Sequence, residues 1–230
     1  RYMAFTKKLR AELVSLLGED WVKDDPVTLY TYRCDGLTLY TAPPMGVVFP
    51  GNRNELVEVV KKLHSRKIPF VPRGAGTGLS GGAVPQEQSV IIEMARFKEI
   101  HDIDWLNRTI TVGPGVINLR ISEKVQPDGY HYVPDPSSQK ACTIGGNVAE
   151  NSGGPHTLKY GVTVNHVLGL EMVLPDGEVV ELGGKPFPIA GPDMLARVIG
   201  SEGTFGIVTK ITCRLTPNPE KAITLLGVFD

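Results

Sequence analysis

The chain has 230 residues, 41% of them hydrophobic, and a formal net charge of −1. This balance gives no electrostatic reason to bind nucleic acid or an anionic membrane, and no run approaches the roughly 20 apolar residues of a membrane helix. Three scattered cysteines, Cys34, Cys142 and Cys213, argue for a reducing compartment and against a disulfide framework or a metal site. The first residue is arginine, and we expect both ends to be internal to a longer protein.

The first predicted elements form a β-α-β unit behind an amphipathic helix. Apolar residues recur at helical spacing over residues 5–17, whereas the prolines and glycines of residues 24–44 predict an irregular approach segment. A buried strand is predicted at residues 46–50, a helix from about Asn54, and a second strand at residues 68–71. This order favours parallel pairing of the strands.

A glycine-rich loop directly follows that second strand. Five of the nine residues 74–82 are glycine, which supplies no packing and costs conformational entropy. A row of backbone N–H groups without Cβ atoms in the way can surround a diphosphate. Arg73 adds a planar, positively charged group suited to phosphate oxygens. The loop is therefore predicted to bind a dinucleotide.

The spacing after the loop excludes two common nucleotide-binding motifs. Residues 76–81 read G-x-G-x-x-G, but only six residues, including Pro85, separate Gly82 from the strand predicted to start at Ser89. No crossover helix fits there, which disfavours a Rossmann domain. A P-loop is disfavoured because no Gly-Lys-Ser/Thr follows. What remains is a diphosphate cradle made by a loop.

The later elements predict a larger, hairpin-rich lobe, so the fold class is α+β. Strands are predicted at residues 89–94, 99–104, 109–112, 166–174, 178–182 and 206–215, and helices at 116–125 and 193–199. Residues 128–161 hold few regular elements and many Gly, Pro, Asn and Ser residues. With the loop at residues 74–82, glycine-rich segments at residues 143–154 and 200–206 make three, and together they indicate one extended ligand between the two lobes.

Together, the motifs PRGAGTGLSGG, PDPSS, TIGGNVAENSGG, LKYG and GSEGTFGIVTKI resemble FAD-linked oxidases of the vanillyl-alcohol oxidase type, among them the FAD-binding subunit of glycolate oxidase and D-lactate dehydrogenases. The resemblance covers residues 43–219 and implies a two-lobed PCMH-type domain, with FAD between a small β-α-β lobe and a larger mixed β lobe with flanking helices. Residues 1–42 are then an N-terminal helix and approach segment. Residues 220–230 begin a linker to a cap domain that this chain lacks.

The resemblance also implies which residues contact FAD. The pyrophosphate would be held by Pro72, Arg73, Gly74, Ala75, Gly76, Thr77, Gly78 and Leu79. The ribityl and flavin region would be lined by Pro134, Asp135, Pro136, Ser137, Gly145, Gly146, Asn147, Ser152, Gly153 and Gly154, followed by Tyr160 and Gly161. The rest of the nucleotide would be enclosed by Glu202, Gly203 and Ile207. Some relatives attach FAD to a histidine where this chain has Thr77, so we expect non-covalent FAD.

The implied function is oxidation of a small 2-hydroxy acid, glycolate or D-lactate, to a 2-oxo acid by hydride transfer to flavin. The substrate-binding groups and the base would come from the cap domain, so no catalytic residue and no metal ligand is predicted here, and the isolated chain should turn over poorly or not at all. His156 and Lys159 lie nearest the expected flavin, and we interpret them as loop-bracing residues. Electrons would pass to an electron-transfer subunit or a quinone-linked carrier, in the cytoplasm or against the inner membrane.

Two alternatives remain open at this point. One is a stand-alone FAD-binding module without substrate chemistry, which a full gene with several hundred further residues would disfavour. The other is an NADPH-dependent flavin reductase of similar fold. The PDPSS and ENSGG segments argue against that reductase through the resemblance alone.

Overall fold

The computed structural model describes residues 5–184, 191–221 and 223–228. In these ranges the α-helices are α1 (Lys7–Leu17), α2 (Pro26–Thr31), α3 (Arg53–Ser65), α4 (Asn118–Val125), α5 (Ile144–Glu150), α6 (Thr157–Tyr160) and α7 (Met194–Val198). The strands are β1 (Val22–Lys23), β2 (Gly46–Val48), β3 (Phe70–Arg73), β4 (Val90–Glu93), β5 (Ile100–Asp104), β6 (Thr109–Val112), β7 (Tyr130–His131), β8 (Val167–Val173), β9 (Val179–Gly183), β10 (Ile207–Arg214) and β11 (Thr216–Pro217). None of the described helices is long and apolar enough to span a bilayer.

The smaller lobe is built on a four-stranded sheet in the order β1-β2-β4-β3. Both β2 and β3 pair parallel with β4, which confirms the parallel β-α-β unit, although β4 lies between its two strands. Helix α3 begins where the Asn52 side chain accepts the Glu55 N–H at 3.0 Å, and it buries Leu56 and Val59 on one face. Helix α1 contributes Leu13 to the same core.

The larger lobe is built on a five-stranded sheet in the order β5-β6-β10-β8-β9, with every pair antiparallel. Its core is separate from that of the smaller lobe and includes Ile110, Ile121 and Ile211. The ends of β8 and β10 contribute Val173 and Ile207 to the first core, so the two lobes meet along these strand ends. The α+β, two-lobed prediction is confirmed.

Three short helices, α2, α5 and α6, lie where the sequence predicted an irregular segment or few regular elements. Helix α2 falls within residues 24–44; the Asp25 side chain accepts the Thr28 N–H at 2.9 Å, and Pro26 occupies the first turn. Helix α5 falls within residues 128–161 despite two glycines in its first turn. Glycine lowers helix propensity, so α5 depends on burial of Ile144 and Val148 rather than on local preference.

Candidate ligand-binding pocket

A cavity of about 360 Å³ lies between the two lobes and is lined by segments from both. Its walls are the loop after β3, the chain from the PDPSS segment through α5, and the turn before β10. Most of the residues predicted as cofactor contacts line it: residues 72–79, Pro136, Ser137, residues 145–147, Ser152, Gly153, Glu202, Gly203 and Ile207. The three glycine-rich segments therefore converge on one cavity, as the sequence predicted.

The glycine loop (residues 74–82) brings a row of unpaired backbone donors to the wall of this cavity. In the described part of the chain, no backbone N–H from Gly74 to Ser80 donates to a protein acceptor, and each of these residues lines the cavity. Gly76 adopts a φ of +66°, which glycine reaches without the penalty of a side chain. Successive N–H groups of this kind form an anion-binding concavity.

Arg73 lies beneath this loop rather than beside it. Its residue is 8% exposed, and Nη1 donates to the carbonyl oxygens of Cys34 at 2.8 Å and Ala83 at 2.9 Å. A Cβ on Gly76 would overlap the guanidinium, so the loop packs directly on it. The sequence assigned this planar group to phosphate oxygens; the structure uses Nη1 to brace the loop, and a diphosphate contact stays a prediction.

Thr143 places a buried hydroxyl at the inner end of the glycine loop. The residue is 7% exposed, and its Oγ1 has no hydrogen-bond partner in the described structure, although it occupies the N-cap position of α5. A Cβ on Gly74 would overlap this oxygen. Buried hydroxyls are normally hydrogen-bonded, so the Thr143 oxygen fits a polar ligand lying against the loop.

The side-chain oxygen and nitrogen of Asn147 are both hydrogen-bonded to other protein residues. Its Oδ1 accepts from Asn118 Nδ2 at 2.9 Å, and its Nδ2 lies 3.4 Å from both Cys142 Sγ and Ser152 Oγ. Asn118 also donates to the carbonyl oxygen of Pro134 at 3.0 Å. These contacts connect the PDPSS segment with the ENSGG segment through α5.

Five of the predicted contact residues lie outside the cavity lining: Pro134, Asp135, Gly154, Tyr160 and Gly161. Asp135 is instead hydrogen-bonded to His156, with Asp135 Oδ2 and His156 Nδ1 2.7 Å apart. The other carboxylate oxygen, Asp135 Oδ1, is buried without a partner among the described atoms. Lys159 lies over the Tyr160 ring at 4.8 Å. Their cofactor roles stay predictions, and the contacts of His156 are those of a residue that joins two loops.

Two carboxylates face the cavity beside the glycine loop. A Cβ on Gly82 would lie 2.9 Å from Glu150 Oε1 and 3.0 Å from the Glu202 Cβ, so the loop passes between these two residues. Within the described ranges neither carboxylate forms an ion pair. Carboxylate oxygens accept hydrogen bonds from hydroxyl groups and repel phosphate, which suits the sugar part of a nucleotide.

A buried carboxyl lies behind the cavity wall on β4. Glu93 is 4% exposed, and burial raises its pKa to about 8, an effect that the nearby positive charge of Arg73 only partly offsets. Burial, followed by the charge of Glu93, also raises the pKa of Tyr32. The neighbourhood of Arg73 therefore holds a carboxyl group whose burial favours the protonated form.

Sequence reasoning missed several residues that line the cavity, among them Pro114, Thr143, Glu150 and Ser201. Thr143 and Glu150 lie within the TIGG and ENSGG segments, and their signal was this position next to the glycines. Pro114 carried no such signal, because its place in the wall depends on the larger sheet.

Comparison with known proteins gives a consistent result. A family described as FAD binding domain matches residues 44–183. The chain is 50% identical over 199 residues to the glycolate oxidase subunit GlcD of Escherichia coli K12, covering 86% of this chain and 40% of that protein. It is 38% identical over 191 residues to a D-lactate dehydrogenase of Archaeoglobus fulgidus, covering 81% and 43%. The chain thus spans less than half the length of these relatives.

The fold also has a solved counterpart. The structure of an alkyldihydroxyacetonephosphate synthase superposes with a TM-score of 0.83 over 94% of this chain and 41% of that chain, at 24% sequence identity. At this identity the likeness concerns the fold, and it supports the two-lobed arrangement.

Proposed function

Because this chain belongs to the family of FAD-binding domains, we propose that it is the flavin-binding part of an oxidoreductase that converts a small 2-hydroxy acid into a 2-oxo acid. FAD is the cofactor of this family. The names of the two relatives above support glycolate or D-lactate as the substrate class.

The observation that carries the proposal is the row of residues from Gly74 to Ser80, which line a cavity between the lobes and whose N–H groups have no acceptor in the described part of the protein. We place the FAD diphosphate there, because successive unpaired N–H groups can bind an anion. The Thr143 hydroxyl is positioned to complete that cradle. The loop thus offers neutral donors whose directions are set before the ligand arrives.

We place the two ends of FAD on either side of this cradle. Glu150 and Glu202 would accept hydrogen bonds from hydroxyl groups of the sugar. Pro136, Ser137 and Gly153 would border the flavin end, where glycine and small side chains leave room for a flat ring system. The remaining contacts predicted from the sequence, including Asp135 and Tyr160, would act from behind the wall.

Bound flavin supplies a two-electron acceptor for the hydride that leaves the substrate. This chain's residues hold and orient it, and the cavity walls exclude water from its buried parts. None of the five histidines lines the cavity, and all five lie in the described ranges. We therefore propose that the base and the substrate carboxylate-binding groups come from outside these 230 residues.

We further propose that electrons pass to a partner subunit, in the cytoplasm or at the inner membrane. The name of the Escherichia coli relative describes it as a subunit, which supports a multi-subunit assembly. All three cysteines are unpaired, which suits a reducing compartment.

Anaerobic reduction of the full-length flavoprotein tests this function. Glycolate, D-lactate, a larger D-2-hydroxy acid and NADPH would each be added, and the flavin absorbance near 450 nm followed. We expect bleaching by a 2-hydroxy acid and not by NADPH. Bleaching by NADPH alone would favour the flavin reductase, and no bleaching by any of the four would favour a binding module. The 230-residue chain should bind FAD and remain unreduced by hydroxy acids.

A further inference from the structure

A short segment ahead of the matched family region is hydrogen-bonded to the glycine loop. We call residues 32–37 the clasp; they precede residue 44, where the family match begins. The Asp35 carboxylate accepts the Gly81 N–H at 3.0 Å, and the Gly36 N–H donates to the Gly78 carbonyl oxygen at 3.0 Å. The clasp therefore holds the second half of the loop by both a side chain and its backbone.

The two carboxylate oxygens of Asp35 suit it to bind the loop and the clasp at once. It is 6% exposed, and its second oxygen accepts the Leu37 N–H at 2.9 Å, which fixes the carboxylate in the clasp's own turn. Because a carboxylate only accepts, both oxygens can serve backbone donors at once. Loss of the side chain would leave the Gly81 N–H without its acceptor and release that end of the loop.

Gly36 allows the clasp to approach this closely. A Cβ at that position would lie 2.9 Å from the Thr77 carbonyl oxygen and 3.1 Å from that of Gly78. Both obstacles are backbone atoms of the glycine loop, so any larger residue would push the loop away. Only glycine therefore fits at position 36 while the clasp stays in contact with the loop.

Arg73 connects the clasp to the far end of the loop. Its Nη1 bonds the carbonyl oxygens of Cys34 in the clasp and of Ala83 just beyond the loop. Together with Asp35 and Gly36, it engages Gly78 and Gly81 in the loop and Ala83 next to it, while among the described residues the N–H groups from Gly74 to Ser80 keep no protein acceptor. The protein bonds thus leave the loop's row of donors available to a ligand.

We propose that the clasp is a positioning element of the cofactor site, which holds the glycine loop in its ligand-binding shape before FAD arrives. The inference rests on the proposed placement of the diphosphate on this loop. A flexible loop would lose conformational entropy on binding, and the clasp removes part of that cost in advance. Asp35 and Gly36 act through the loop and need not touch the cofactor.

The test compares Asp35→Ala and Asp35→Asn with Asp20→Asn, a change at an exposed aspartate on the surface. FAD affinity of the apoprotein is measured by quenching of flavin fluorescence, and stability by thermal unfolding without FAD. Loss of a charge-assisted hydrogen bond predicts affinity weaker by about tenfold or more in D35A. D35N keeps one acceptor oxygen and should fall between D35A and the wild type, while D20N should match the wild type.

Amide hydrogen exchange in the apoprotein separates the clasp from a general loss of structure. D35A should accelerate exchange at Gly81 while amides in α3 and β10 keep their protection. Gly36→Ala tests the same contact without removing a charge, and it should weaken FAD binding with α3 and β10 still protected. Unchanged FAD affinity and unchanged Gly81 exchange in both variants would overturn the proposed positioning role of the clasp. Failure of the wild type to bind FAD would overturn the proposed function and the clasp's role with it.

Discussion

The Thr143 hydroxyl lies beside the backbone of Gly74, so close that a Cβ on the glycine would overlap it. It is buried and has no hydrogen-bond partner in the described structure. Thr143→Val removes the hydroxyl at nearly constant shape. The apoprotein should become more stable by about 1 kcal/mol, because an unsatisfied polar group disappears, whereas FAD affinity should fall by about two- to tenfold. Denaturant unfolding and flavin fluorescence measure the two effects.

Thr209→Val is the matched control for that experiment. Thr209 is also buried and lies in the larger sheet, but its hydroxyl donates to Glu171 Oε1 at 2.8 Å, and it does not line the cavity. The apoprotein should lose stability by about 1 kcal/mol and keep its FAD affinity. If T143V destabilised the apoprotein as T209V does, the Thr143 hydroxyl would have a protein partner.

Gly74→Ala should abolish measurable FAD binding, because the new methyl group would displace Thr143 or the loop. The double variant G74A/T143A provides the control, since removal of Oγ1 leaves the Thr143 Cβ at an ordinary 3.5 Å from the new methyl group. Binding by the double variant should match that of T143A alone. Equal loss in G74A and in the double variant would mean that the loop cannot accept any side chain at this position.

Stability should fall as the pH rises from about 4.5 to about 8, because burial raises the pKa of Glu93 from 4.5 to about 8. The folded state favours the protonated carboxyl, so its contribution is complete below the unfolded pKa and is lost as the pH passes the folded pKa. Glu93→Gln should remove this decline and raise the free energy of unfolding at pH 8.5 by about 2–4 kcal/mol. Urea unfolding between pH 5 and pH 9 measures it.

The exposed Glu87 supplies the control for the pH experiment, and Glu87→Gln should leave the pH profile of stability unchanged. A parallel decline in E93Q and the wild type would show that another group controls the profile. Lower stability of E93Q at pH 8.5 would show that the ionised carboxylate is paired in the folded protein.

FAD should leave the protein completely on denaturation. The resemblance of the loop to FAD-linked oxidases predicts that Thr77 takes the position of a flavin-linking histidine, and a threonine cannot form a histidyl link. The holoprotein would be unfolded in guanidinium chloride and passed through a membrane that retains the chain. All yellow colour should appear in the filtrate, and flavin retained with the chain would contradict the prediction.

His156 should contribute to loop packing and little to binding. Its side chain is 64% exposed, and its bond to Asp135 joins two loops. His156→Ala should lower the free energy of unfolding by less than about 1 kcal/mol, with FAD affinity nearly unchanged; Leu158→Ala, at a fully exposed neighbour, should have no effect. A lost reduction rate in full-length H156A with intact FAD affinity would instead give His156 a chemical role.

Local patterns predicted most of the elements. Helix α3 followed from its apolar spacing, and the β8–β9 hairpin followed from Pro-Asp-Gly between two apolar runs. The glycine segments were predicted to converge, and they do, because glycine runs of this kind have few explanations other than close approach to a ligand. These features depend on residues near each other in the chain.

The features that could not be predicted depend on contacts between segments far apart in the sequence. No local signal shows that β4 inserts between β2 and β3, since the pairing partner of a buried strand is set by the whole sheet. The phosphate role given to Arg73 was reasonable from its charge, but only the fold brings the carbonyl oxygen of Cys34 within reach of Nη1. Asp35 was read as part of an irregular approach for the same reason.

The connection between β3 and β4 is a loop, and this affects how a bound cofactor would change the stability of the domain. These strands are parallel neighbours, a pairing usually joined by a helix that also covers the sheet, yet residues 74–89 are fully described and contain no helix. The glycine loop takes the place of that helix and lines the cavity, so a bound ligand would add contacts between this loop and the other walls. The melting temperature should then follow the FAD concentration, with about 2.7 kcal/mol gained at 100 times the dissociation constant. For this domain, the supply of cofactor would then set part of the folding stability.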